Sequence, residues 1–462
     1  MTYYAEQVTE LSASLAGQQM DLTESAEYYD ACHRLETIGL AAPPDMRVLE
    51  SVVGWPRMYL DSLEERLDVE GFRLAAGSSE QIQEMWEWWQ VNDMDEESGL
   101  AHLDAFIYGR SYVTVAAPGK GDIPEIPIIR VESPRNFYAE VDPRTRKVTR
   151  AIRFYAPVTP TTYANFVNPT DAKATLYLPN ETVFLVKGRM DGSWQVESRV
   201  RHNLGVVPVV PIYNRQRVGD RSGQSEILPE IRSLTDAASR TLMNMQAAVE
   251  LMAVPQRYFF GLDPDSLGDT PAEVREAYMG RIMAIQDPEG KAGQFNAAEL
   301  RNFTDVLQEM AKQVASYTGL PPQYLSFQSD NPASAEAIRS AESRLVKKCE
   351  RKARMFGGAW EQVMRLCLEV LGRDVTPEMA RLETVWRDPA TPTFAAKADA
   401  VTKLYSNGMG IIPKEYARIE MGFSEEVRRD MREWDREDEV ATIDSLLRGS
   451  PSMRPPVEEE AA

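Results

Sequence analysis

Histidine is nearly absent from this 462-residue chain: His33, His102 and His202 are the only three, and none sits in a spacing such as HExxH. Zinc-hydrolase chemistry has no ligand set here. Cysteine is as scarce. Cys32, Cys349 and Cys367 form neither an even-numbered framework nor a CxxC pair, which predicts a reduced setting without disulfides. Cys349 and Cys367 lie about five helical turns apart on one face and read as small core residues. No apolar run reaches the ~18 residues of a membrane span, and the N-terminus lacks a basic stretch leading into an apolar one. A soluble protein without a signal peptide is expected. Positive charge is also in deficit, with 51 Lys and Arg against 71 Asp and Glu, a net charge of −20. That excludes a protein that wraps nucleic acid by neutralising phosphates. An acidic wall lining a conduit would instead repel DNA and keep it from sticking.

Catalytic motifs are missing too. Gly219 to Ser225 (GDRSGQS) lacks the Gly-Lys-Ser/Thr ending of a phosphate loop, Gly119-Lys120-Gly121 fails in the same way, and there is no GxSxG elbow. Asp263, Asp265 and Asp269 are the nearest thing to a metal site, because Mg²⁺ needs only one or two carboxylates and water. A metal-dependent nuclease would need these to fold together with companions the sequence does not show. A solvated acidic loop is the simpler reading.

What is present is material for several cores: 43% hydrophobic residues in a length that predicts two to four structural units. Residues 1 to about 40 read as helical and amphipathic, ended by Ala41-Ala42-Pro43-Pro44. A further helical region runs from Val48 to Leu67, interrupted at Gly54 to Pro56, and passes into a short apolar unit at Gly71 to Leu74. On a helix over 79–92, Met85, Trp88 and Trp89 share a face and read as core. Short β-rich runs follow at Tyr112–Val115, Ile128–Val131, Val148–Tyr155, Ala174–Leu178, Thr182–Lys187 and Trp194–Glu197, the second starting just after Pro127. These predict an antiparallel sheet in an α+β, predominantly helical chain.

From Ser222 to Ala353 the pattern is helix, β-bearing excursion, helix, Pro-rich loop and long helix. Ile227, Ile231, Leu234, Ala238, Leu242, Met245, Val249 and Met252 recur at helical spacing until Pro255. A second stripe runs through Leu300, Phe303, Val306, Leu307, Met310, Val314 and Tyr317 to Gly319, Pro321 and Pro322. Between them lie strands at Gln256–Gly261 and Arg281–Gln286 and a short helix at Pro271–Met279. This piece is too small to stand alone, so copies of itself are its natural neighbours. Glu226, Glu230, Asp236, Glu250, Glu299, Asp305, Glu309 and Lys312 project away from the stripes, on either a solvated or a channel-lining face. A helix from Ser334 to about Leu371 carries Gly357-Gly358 at a propensity cost of about 2 kcal/mol, which points to a kink or close packing. Val385-Trp386-Arg387 reads as a strand, with helices at 393–407, 413–420 and 424–447. The tail 450–462, with three prolines and Glu458 to Glu460, has the composition of a disordered segment.

These segments together resemble the portal proteins of tailed bacteriophages, of the siphophage type found in actinobacterial phages. The resemblance is carried by GWPRMYLDSLEERLDVEGFRL (54–74), FIYGRSYVTV (106–115), GQSEILPEIRSLTDAASRTLMNMQAAVELMAVPQRYFFG (223–261), TGLPPQYLSFQSDNPASAEAIRSAE (318–342) and VWRDPATPT (385–393). It implies a ring, commonly a dodecamer, at one capsid vertex, through which double-stranded DNA is packaged and ejected. It also implies a wing (1–222), a first stem helix (223–254), a clip (255–298) and a second stem helix (299–318). A tunnel loop (319–334), a long kinked helix with a wing strand (335–392), a helical crown (393–449) and an acidic tail (450–462) complete the order.

By the same resemblance, Gln323, Tyr324, Ser326, Gln328, Ser329 and Asn331 would face DNA, and Glu299, Asp305, Glu309 and Lys312 the channel. Phe303, Leu307, Met310, Leu242 and Met245 would pack the stem. Arg257, Tyr258, Phe259, Arg281 and Met283 would form a docking clip, whose strand edges could pair with another chain. No cofactor, metal or catalytic residue is implied. The partners would be other copies of the chain, a terminase packaging motor, a head-completion adaptor, and major capsid and scaffolding proteins, in a virion assembled in the host cytoplasm. A non-channel head-assembly or scaffolding subunit shares the acidity and the lack of catalytic motifs but does not account for the order of elements.

Overall fold

The computed structural model describes residues 2–33, 51–74, 79–155, 172–188, 192–252, 257–260, 282–285, 293–294, 300–325, 335–390, 394–405, 410–423 and 425–448. The chain divides into two compact units, Met1–Pro389 and Ala390–Ala462.

The first unit opens with two helices, α1 (Thr2–Ala16) and α2 (Gln19–Tyr29), separated at Gly17-Gln18, where the sequence suggests one continuous helical region. Helix α3 (Trp55–Glu64) begins at the Gly54-Trp55-Pro56 step that reads in sequence as an interruption. The reason is the first turn of a helix, where a backbone N–H has no partner to lose and the fixed φ of proline is already helical. Strand β1 (Val69–Arg73) leads to α4 (Ser79–Val91) and α5 (Met94–Tyr108).

Eight strands follow: β2 (Arg110–Ala116), β3 (Ile128–Glu132), β4 (Phe137–Val141), β5 (Val148–Phe154), β6 (Lys173–Tyr177), β7 (Glu181–Lys187), β8 (Trp194–Arg201) and β9 (Val209–Tyr213). They form an antiparallel sheet of order β3-β2-β9 and an antiparallel meander β4-β5-β6-β7-β8. Strands β4 and β9 are not evident in sequence. Pro211 hides β9, and it is tolerated because β9 is the edge strand, pairing only with β2. Period-two alternation places Ile152, Phe154, Ala174, Leu176, Val183 and Leu185 on one face of the meander, where Val8, Leu11 and Leu15 of α1 cover them. Ala151, Phe137 and Ala139 point to the other face, against Tyr112, Val207 and Val209.

The remaining elements of this unit are α6 (Pro229–Met252), strands β10 (Arg257–Phe260), β11 (Ile282–Ile285) and β12 (Gly293–Gln294), α7 (Arg301–Thr318), the single turn α8 (Pro322–Leu325), the 36-residue α9 (Ala335–Val370) and β13 (Glu383–Trp386). Strand β13 pairs antiparallel with β1. The main core gathers on α9: Leu345, Cys349, Phe356, Trp360, Val363, Met364 and Cys367 are all at 0% exposure. Trp360 meets Trp89 edge-on at 5.1 Å, and its Nε1 donates to His102 Nε2 at 2.9 Å. Burial lowers the His102 pKa to about 3, so this histidine is a neutral core acceptor. Helix α9 runs unbroken through Gly357-Gly358. Of the two uses a glycine pair suggests, close packing is visible at Gly357, where a Cβ would come within 3.2 Å of Trp386 Nε1 and the Thr384 hydroxyl donates to the Gly357 carbonyl at 3.1 Å.

In the second unit, α10 (Phe394–Tyr405), α11 (Lys414–Met421) and α12 (Glu425–Arg448) fall close to the expected spans. Charge joins α11 to α12: Arg418, 12% exposed, pairs with Asp435 at 2.7 Å, and Glu415 takes Arg432 at 3.2 Å.

Candidate functional site

Helices α6 and α7 pack against each other, and each buries only part of its apolar stripe. On α6 the expected line holds at Ile231 and Ala238. The buried face then continues through Ser239, Met243 and Ala247, while Leu242 and Met245 are half-buried and Val249 is 43% exposed. On α7, Ala311, Val314, Ala315 and Thr318 are buried, whereas Phe303, Leu307 and Met310 are half-buried and Val306 is 46% exposed. Asp305, Glu309 and Lys312 stand exposed on the outer side of α7, with Lys312 and Glu309 paired at 3.5 Å. Glu299 lies outside the described residues.

After α7 the chain turns at Gly319, whose φ of +81° suits only glycine without strain and whose N–H closes the helix onto the Ala315 carbonyl at 2.9 Å. The loop expected to face DNA begins with the helical turn α8. There Gln323 is exposed, but Tyr324 is half-buried: its hydroxyl donates to Glu342 at 2.6 Å and accepts from Arg66 Nη2 at 3.0 Å. Arg66 also reaches Glu342 at 3.4 Å and the Pro389 carbonyl at 2.7 Å. Within the single subunit Tyr324 is therefore a tie between the segment that follows α3, the loop and α9. Ser326, Gln328, Ser329 and Asn331 lie outside the described residues.

The strands between α6 and α7 form a three-stranded sheet of order β11-β10-β12, with β10 parallel to β11 and antiparallel to β12. Arg257, Tyr258 and Phe259 are on β10 and Met283 on β11; Arg281 and the expected short helix at 271–279 lie outside the described residues, as do Asp263, Asp265 and Asp269. Strand β10 is central: β11 pairs along all four of its residues, and β12 takes the other edge at Arg257 and Tyr258. Among the described residues, β11 pairs on one edge only.

Glu226 is the largest departure. Expected on a solvated or channel-lining face, it is fully buried just before α6. Lys352 and Lys348 of α9 both bind its carboxylate, the latter at 2.9 Å. Tyr59 of α3 donates to it at 2.7 Å and Asn214, after β9, at 3.1 Å. Burial alone would push the Glu226 carboxyl up, but the ammonium groups of Lys348 and Lys352 outweigh it and hold the group well below the usual carboxylate range. Two ammonium groups share one carboxylate, so burial still depresses the inner one, Lys352, despite the pull of Glu226. Asp236, also expected to project outward, is half-buried and accepts from Tyr28 at 3.0 Å.

Two glycines make this node possible. Gly109 ends α5 at φ +84°, and the chain at Gly223 and Gln224 presses on it so closely that a Cβ on Gly223 would fall 1.8 Å from the Gly109 carbonyl oxygen. That contact lets Glu226 N–H bond the Phe106 carbonyl at 2.9 Å and points its side chain inward.

Residues 16–443 match the family described as "Phage portal protein, SPP1 Gp6-like". The chain belongs to this phage portal family. It is 50% identical to the portal protein of Mycobacterium phage L5, covering 98% of this chain and 94% of that one. It is 52% identical to the portal protein of Mycobacterium phage D29, covering 93% and 88%. Among solved structures, a chain of the virion of a native gene transfer agent particle aligns over 87% of this chain and 99% of its own at 13% identity, with a TM-score of 0.41. A chain from the neck of the same kind of particle, computed with C12 symmetry, aligns with a TM-score of 0.37. Similarity at that level carries no argument about this chain.

The segments that carry the portal resemblance meet around α9. Tyr59 comes from the first, Phe106 and Gly109 from the second, Glu226 from the third, Tyr324 and Glu342 from the fourth and Trp386 from the last. Lys348, Lys352, Asn214 and Arg66 are the partners that sequence reading missed. Lys348 and Lys352 at i,i+4 on the apolar side of α9 were the available signal, since a lysine facing a core implies a buried carboxylate. Among the described residues no His, Cys, Asp and Glu cluster could hold a metal, and no helix is long and apolar enough to cross a membrane.

Proposed function

We infer that the chain is one subunit of a ring-shaped portal at one capsid vertex, the channel for packaging and ejecting double-stranded DNA and the dock for the packaging motor and head-completion proteins. The observation that carries this is the portal-family match across residues 16–443, with portal proteins of two mycobacteriophages about half identical over nearly their whole lengths. The ring is a dodecamer of identical subunits, without enzymatic activity or a cofactor, and the force for packaging comes from a separate terminase. Scaffolding and major capsid proteins surround it during assembly in the host cytoplasm.

On this reading α6 and α7 are the stem. The half-covered Leu242, Met245, Phe303, Leu307 and Met310 support it, because a neighbouring stem would cover them, and exposed Asp305 and Glu309 suit a wall that repels DNA. Strands β10 to β12 belong to the clip, with β11 offering the edge to a docking protein. Gln323, Gln328, Ser329 and Asn331 give the loop 319–334 polar contacts too weak to hold phosphates. Residues 1–222 form the wing and 393–449 the crown.

Negative-stain microscopy of the purified protein tests the ring: annular particles with a central hole are expected, and monomers or filaments would overturn it. Gln328→Lys with Ser329→Lys should leave rings assembled but slow DNA entry most at low salt. Equal packaging rates across a salt series would take this loop off the DNA path.

A further inference from the structure

We propose that the groove between α9 and the strands β5 and β9 docks an extended acidic segment of a protein partner. The groove encloses about 650 Å³. Its floor is apolar, with Val148, Val207, Val209, Pro211, Tyr213 and Leu366. Its rim carries Arg146, Lys147, Arg215 and Arg365 against a single carboxylate, Glu369. In a chain where acids outnumber bases 71 to 51, a cluster of this sign runs against composition.

The cations are also unspent. Arg146, Lys147 and Arg365 make no ion pair among the described residues. Arg215 lies over the Tyr213 ring at 5.1 Å and keeps a buried Nε without a hydrogen-bond partner. Four positive charges around one cleft repel one another until an anion arrives. The cleft selects the kind of anion. Its volume is that of a site for a few side chains, within the ~300–1,000 Å³ of small binding clefts, and a DNA duplex cannot enter it. A tyrosine and a proline on the floor suit an extended, proline-bearing chain, as in grooves that take polyproline II segments. Carboxylates spaced along such a chain would reach the rim while its aliphatic side chains sit on the floor. The groove lies within the first unit, and the inference does not depend on ring formation.

The probe is a labelled peptide of repeating Pro-Val-Glu-Glu, titrated into the full chain and followed by fluorescence anisotropy. Saturable, salt-sensitive binding is expected, and the same peptide with glutamine for glutamate should not bind. Arg146→Glu with Arg365→Glu should weaken binding about tenfold or more, because like charges then face each other. Gln362→Trp is the separating variant. Gln362 is exposed and lines the groove, so tryptophan there fills space without changing charge or touching the core. Loss of binding in Gln362→Trp supports the groove. Unchanged binding in that variant, or displacement of the peptide by a short DNA duplex at equal charge concentration, would overturn it and leave a non-specific basic surface.

Discussion

Helices α9 and α7 have similar amphipathic patterns and opposite fates. On α9 the apolar face is sealed by α3, α4, α5 and β13, with Phe356, Trp360 and Met364 at 0% exposure. On α7 the sealed residues are confined to the stretch from Ala311 to Thr318, and Val306 stands 46% exposed. Periodicity states that a helix has a face to bury; it does not state whether the same subunit will bury it. One helix is finished by its own chain. The other is left half-covered, which is the condition for completion by a neighbour.

The largest change should come from opening the sealed helix. Trp360→Ala should cost about 3 to 5 kcal/mol, through a cavity that the flanking Trp89 and Phe356 cannot fill, and should lower the denaturant midpoint of the isolated subunit accordingly. A midpoint close to wild type would mean that α9 is less tightly enclosed than its packing indicates.

Glu226→Gln should cost a similar or slightly smaller amount, about 3 kcal/mol or more, because Lys348 and Lys352 lose their shared counter-ion in a buried place. The pH profile separates this from simple packing loss. The Glu226 carboxyl is held below its ordinary value of 4.5, so the folded state binds fewer protons than the unfolded one in that range. Its stabilisation is present above about pH 4.5 and is lost as the medium becomes more acidic. Wild type should therefore show a steeper loss of stability below that pH than Glu226→Gln. Parallel profiles would show that the carboxylate is not ionised in the fold.

Leu307→Asp probes the unfinished helix and should split two measurements. The subunit should lose only about 1 to 2 kcal/mol, since Leu307 is half-buried, while ring formation followed by analytical ultracentrifugation should fail. Intact rings would show that this face is not the one a neighbour covers. The smallest effect is expected for Tyr324→Phe, about 1 kcal/mol, because Arg66 and Glu342 remain paired directly when the hydroxyl bridge is removed.

The elements that could be read in advance were those whose signal is local. The Trp88 and Trp89 pair, the helical character of α6 and α7, the Gly319 stop and the small-residue reading of Cys349 and Cys367 all follow from spacing along one helix. Strand β9 could not be read, because Pro211 argues against a strand until β2 is known to cover only one of its edges. The Gly54-Trp55-Pro56 step could not be told from a break, because proline both ends helices and begins them. The portal resemblance places Tyr324 toward DNA, but its hydroxyl bonds Arg66 and Glu342, which come from other parts of the chain.

The sequence by itself determined the portal family, the order of helix, small sheet, helix and loop, and the absence of recognisable catalytic motifs, since all of these rest on residue type and spacing. Only the tertiary structure decided that Glu226 is buried between two lysines more than a hundred residues away, that Gly109 and Gly223 touch, and that four cations of an acidic chain line one groove. The reason is physical. A charge on a helix is compatible with water or with a distant partner, and the two differ only once folding has brought the partner within about 3 Å or left it away.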